Sequence, residues 1–247
     1  MKRNRSAFSL VETLIALGIV GIVVALSLPI LIRNYQEKAT IVRLKKVYTI
    51  LSQIYERVTL EYGTPDEWDI STDTTDTVRT EIYYEKMKNS TNRLAICEGS
   101  KCSAKYYGLN GNFDGNANYR IAQNPMILAD GTHVRILGTN NTDCSIKRGQ
   151  TNALASICAE VFVDVNAQKP PNTYGKDVFV FYWTKYGIIP AGSSKEQSHV
   201  KFELACSKST DYVYSGAGCA AWVLENENMD YLHCQGLSWS GKKSCKN

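Results

Sequence analysis

Apolar and polar positions along the chain fall into three regimes. From Leu14 to Ile32 there are 19 consecutive residues without a charge, and Arg33 ends the run. As a helix this stretch spans roughly 28 Å, about the hydrocarbon thickness of a bilayer. Beyond Arg33 the pattern becomes amphipathic. Leu44, Val47, Leu51, Ile54 and Val58 recur at spacings of three and four, with Tyr48 and Tyr55 beside them and Lys45, Lys46, Gln53, Glu56 and Arg57 opposite. One stripe therefore packs on something while the other face is wet. Gly63-Thr64-Pro65 stops the helix.

The third regime has strand periodicity. Residues 64–80 read as a Thr- and Asp-rich loop, and Glu81 to Asn89 as a short helix. Met126 to Ala129 and Thr132 to Leu137 flank Asp130-Gly131, a hairpin signal compatible with a type I′ turn. Cys158 to Val165 and Asp177 to Trp183 give a third and a fourth strand, and Ala220, Val223 and Leu224 suit a short helix. Three or more antiparallel strands laid on a long N-terminal helix predict an α+β fold. Its helix, from about Phe8 to Tyr62, is half transmembrane and half amphipathic, and it packs on an antiparallel β-sheet head.

Charge and cysteine usage sharpen this picture. Of the net charge of +4, Lys2, Arg3 and Arg5 supply three units before the apolar run, so the remainder is nearly neutral. That excludes a general electrostatic footprint for nucleic acid. A positive start keeps the N-terminus cytoplasmic and sends the rest of the chain outward. An ordinary cleaved signal peptide fits poorly, because the apolar core is too long and continues into a helical pattern. The eight cysteines, Cys97, Cys102, Cys144, Cys158, Cys206, Cys219, Cys234 and Cys245, all lie beyond residue 96. Behind an export signal an even set reads as disulfides. Consecutive pairing closes four short loops, one scheme among about 105.

Glu12 stands out, since a carboxylate in an apolar segment costs on the order of 2.5–3.5 kcal/mol at a bilayer centre. A basic leader, a small residue, Phe, and a Glu four residues after that Phe precede the apolar run: Ala7-Phe8-Ser9-Leu10-Val11-Glu12-Thr13-Leu14. This N-terminus resembles that of the type IV pilins and type II secretion pseudopilins. The resemblance implies cleavage between Ala7 and Phe8 by a prepilin peptidase and N-methylation of Phe8. The family usually has Gly before the scissile bond, where this chain has Ala7, the next smallest residue. Glu12 is then expected to neutralise the Phe8 amine of an adjacent subunit, and Pro29 to kink the helix, with Gly18 and Gly21 in its extensible stretch. The domains expected are a leader at 1–7, a transmembrane and assembly helix at 8–33, a supporting helix at 34–62 and an extracytoplasmic head at 63–247. The precursor would sit in the inner membrane and the mature subunit in a pilus or pseudopilus.

The head offers fewer signals. Asp164, Asn166 and Asp177, in a Gly- and Pro-rich turn, could supply hard oxygens to a structural Ca²⁺, as comparable acidic loops do in some pseudopilins. The alternative is a polar turn whose side chains cap backbone groups. Cys219 to Cys234 resembles the C-terminal part of large prepilin-type proteins with cysteine-rich heads. Tyr106, Tyr107, Tyr119, Arg120, Lys147 and Arg148, if exposed, would let a minor pilin's head bind DNA or a surface ligand. His133, His199 and His233 show no zinc-ligand spacing, and no nucleophile elbow, P-loop or dinucleotide fingerprint is present. The expectation is therefore a structural subunit and no enzyme, with an anchored extracytoplasmic enzyme as the remaining alternative.

Overall fold

The computed structural model describes residues 9–70, 75–90, 95–97, 104–113, 125–139, 143–167, 169–211 and 215–246. Helix α1 is continuous over Leu10–Tyr62. It ends where Gly63 turns left-handed (φ +74°) and its N–H reaches back to Thr59 O at 3.0 Å. Only a residue without Cβ takes that conformation freely. The chain divides into two compact units at Ala39 and Thr40.

In the first unit none of the apolar side chains of α1 is buried among the described residues. From Leu10 to Ile32 the large ones are 47–78% exposed. A Cβ built on Gly18 or Gly21 would meet nothing within 4 Å. Pro29 lies inside the helix and has no N–H to offer the carbonyl of Ala25.

The second unit holds the sheet. Its strands are β1 (Ala95–Ile96), β2 (Met126–Ile127), β3 (His133–Gly138), β4 (Ile157–Asp164), β5 (Val178–Thr184) and β6 (Gly187–Pro190). They pair antiparallel in sequence order, a meander without crossovers. Leu44, Val47, Leu51, Ile54, Tyr55 and Val58 are the buried residues of α1, which is the stripe expected from their spacing. They share one core with Val134, Ile136, Val161, Val163, Phe179, Phe181 and Trp183 of the sheet. Helix α2 (Asp76–Ser90) adds Tyr83, Tyr84 and Met87 to it. Tyr48 stacks on Phe181 at 5.7 Å, and Tyr55 donates its hydroxyl hydrogen bond to Lys185 O at 2.8 Å.

The sheet's other face is covered too. Phe162, Val178, Val180 and Tyr182 pack in a second core with Tyr106, Leu154, Tyr174, Ala191 and Val200, which come from irregular segments, and with Ala217 at the start of a 3-10 turn. Covering both faces explains why every residue of β5 is buried. Beyond β6 lie two short helices, α3 (Phe202–Ala205) and α4 (Ala220–Asn226). Trp222 of α4 stacks on Phe202 of α3 at 4.0 Å.

Two expectations need correction. The β2–β3 connection is not a type I′ turn, because Gly131 is left-handed (φ +85°) and Asp130 is not. Gly131 N–H bonds Leu128 O, and Leu128 N–H bonds Thr132 O, each at 2.9 Å. This is a type I turn closed by a glycine bulge, which the same Asp-Gly pair also serves. The helix expected from Glu81 begins earlier, at Asp76, so Thr- and Asp-rich sequence supplies its first turn.

Cys144–Cys158, Cys206–Cys219 and Cys234–Cys245 are bridged. Cys97 is also disulfide-bonded, while Cys102, its expected partner, lies outside the described residues. The three bridges described are those of the consecutive scheme.

Candidate functional site

Ala7 and Phe8 lie outside the described residues. Ser9 is the first described residue, and with Glu12 it forms a closed pair of bonds. Ser9 N–H donates to Glu12 Oε2 at 2.9 Å, and Glu12 N–H donates to Ser9 Oγ at 3.2 Å. This is a reciprocal capping box, which satisfies two of the four N–H groups a helix start leaves open. Its signal is present in the sequence as Ser9-x-x-Glu12, where the unusual charge of Glu12 in an apolar setting masks it. Thr13 Oγ1 adds a bond to Leu10 O at 2.8 Å. The assembly candidates Glu12 and Pro29 thus stand on one helix, at its first turn and within its uncovered apolar part.

In the head, the structure brings Asp164, Asn166 and Asp177 together as a hydrogen-bonded turn. Asp177 Oδ1 accepts Thr173 N–H at 2.6 Å, and its Oδ2 accepts Asn172 N–H at 2.9 Å and Asn166 Nδ2 at 3.0 Å. Asp164 Oδ1 accepts Asn166 N–H at 3.1 Å, and its Oδ2 accepts the Tyr106 hydroxyl at 3.3 Å. Donors therefore occupy both oxygens of both carboxylates. The amide oxygens of Asn166 and Asn172 are buried and accept nothing. As arranged, the Asp164 and Asp177 side chains cap backbone N–H groups of the turn. Among the described residues no group of three or more His, Cys, Asp and Glu side chains is placed to hold a metal. Cys234, beside His233, is committed to its disulfide.

The aromatic and basic residues considered for ligand capture are dispersed into other roles. Tyr106 is fully buried, and Tyr107 packs edge-on against Phe113 at 5.8 Å. Arg148 pairs with Glu160, and its guanidinium lies 5.2 Å over the Tyr182 ring. Lys147 is exposed, while Tyr119 and Arg120 lie outside the described residues. Sequence reasoning missed Glu196, which is buried and accepts the Tyr182 hydroxyl at 2.8 Å, Gly192 N–H at 2.7 Å and Ser198 Oγ at 2.6 Å. Burial and the neighbouring Glu196 carboxylate push the Tyr182 hydroxyl well above its ordinary pKa.

Comparison with known proteins gives two family matches. A model described as the prokaryotic N-terminal methylation motif matches residues 2–28, the stretch containing Ala7, Phe8 and Glu12. A second, described as a family of unknown function (DUF6613), matches residues 30–202, which include the amphipathic part of α1 and the whole sheet. No curated protein and no solved structure matches. The chain therefore has a type IV pilin-like N-terminus and belongs, through the body beyond it, to the family of unknown function DUF6613.

Proposed function

We propose that the chain is a structural subunit of a type IV pilus or a type II secretion pseudopilus, and no enzyme. It is made as an inner-membrane precursor whose head faces away from the cytoplasm. A prepilin peptidase removes residues 1–7 and methylates Phe8, and subunits then polymerise through α1. The observation that carries this reading is the methylation motif over residues 2–28, on a helix whose large apolar side chains from Leu10 to Ile32 are 47–78% exposed. So much apolar surface in water is untenable. Lipid covers it first and neighbouring subunits' helices later. The open surroundings of Gly18 and Gly21 suit close approach of such helices.

Glu12 sets the register. Trimming creates a cationic amine at Phe8, and in a low-dielectric bundle each charge offsets the other's desolvation. A subunit displaced along the bundle would leave both charges unpaired. Pro29 has already lost one helical hydrogen bond, so bending there costs little more.

Mass spectrometry of the native protein should find methylated Phe8 as its first residue. Residues 1–7 still attached, or a cut beyond Ile32, would overturn the proposal. Glu12→Ala should keep the subunit in the membrane fraction and sharply reduce filaments. Normal filament numbers would remove the role given to Glu12.

A further inference from the structure

The capping box at the head of α1 bears on how Glu12 is presented. A free glutamate side chain samples many rotamers, and ordering it on association has a cost. Here Ser9 N–H and Oγ close a ring with Glu12 Oε2 and N–H. The carboxylate is folded back over the first turn, at the positive end of the helix macrodipole. In apolar surroundings an N–H bond to an ionised carboxylate is stronger than in water. The box thus retains the charge as well as the geometry. Oε1 makes no hydrogen bond among the described residues.

We propose that Ser9 is a positioning residue for Glu12: the unassembled subunit displays a preformed, oriented carboxylate, and an incoming subunit's methylated amine meets it without further ordering. This rests on the reading of Glu12 given above. Ser9 does not itself contact the amine. Its hydroxyl fixes the turn on which its own N–H can hold the acid.

The experiment compares the filament-to-membrane ratio of full-length variants in the producing cell, with leader removal checked by mass spectrometry. Ser9→Ala should lower the ratio about fivefold, the scale of losing one N-cap, with insertion unchanged. Ser9→Thr should restore it. Ser9→Asp separates positioning from simple helix capping, because Asp caps a helix well but repels the Glu12 carboxylate. Positioning requires that Asp fail to rescue. Rescue by Asp, or wild-type assembly of Ser9→Ala beside a defective Glu12→Gln, overturns the positioning role and leaves Glu12's own role standing. Normal assembly of Glu12→Gln would instead remove the underlying reading. A readout independent of processing is amide exchange in the uncleaved protein in detergent. The Ser9 N–H should exchange more slowly in the wild type than in Glu12→Ala, and equal rates would overturn the proposal.

Discussion

Asp177 is held by opposing forces. Burial drives its carboxyl up to about 6, against the N–H donors of Thr173, Asn172 and Asn166, which pull it down. The folded protein therefore binds this proton more tightly than the unfolded chain, where the ordinary value is 3.8. The resulting stabilisation is fully present below about pH 4 and is lost as pH rises through about 6, an effect of roughly 2–3 kcal/mol. Burial moves His133 the opposite way, lowering it, so the whole protein's pH profile mixes both signs. Asp177→Asn isolates this carboxyl's effect: from pH 4 to pH 7 the wild type should lose stability relative to that variant. A constant difference in denaturation midpoints would show an ordinary carboxyl. Asp177→Ala tests the turn itself, since it strands two backbone N–H groups of buried residues at about 1–3 kcal/mol each.

Among the elements, the amphipathic part of α1 is where packing energy concentrates. Leu51 is fully buried, whereas Val42 on the same helix is 65% exposed. Leu51→Ala should destabilise the detergent-solubilised protein by about 2–5 kcal/mol, and Val42→Ala by less than about 0.5. Equal small effects would mean that this stretch does not enter the core. The stripe was readable because Leu44 through Val58 obey one period without interruption. Strands β4 and β5 were readable from β-branched and aromatic runs. Strand β6 was not, because Gly187-Ile188-Ile189-Pro190 is short and flanked by punctuating residues. The second core escaped notice for a related reason. Tyr106, Tyr174 and Val200 reach it from loops of no fixed period, so no pattern marks them as buried. Stacking by Tyr106 is conditional on its exposure, and its tertiary placement, fully buried, fails that condition.

At the scale of the molecule, the pilin-like class is legible from about thirty residues, and the α+β plan of a long helix on an antiparallel sheet from the periodicities beyond them, while the cover on the sheet's second face is not. A charged leader and an apolar run are dictated by the bilayer, and a solvent with so few tolerances writes a strong signature. A sheet stapled by disulfides is under no such uniform demand. The cysteine framework has a consequence for how that body is made. Each described bridge joins neighbours in the chain, 14, 13 and 11 residues apart, so no ring waits for another to close or encloses a later one. A chain oxidised in the order of its emergence from the translocation pore would reach these pairs directly. An oxidant alone should then yield the native map on non-reducing peptide analysis, and a disulfide isomerase should add nothing. Crossed pairs such as Cys158 with Cys206, cleared only by reshuffling, would contradict that economy of manufacture.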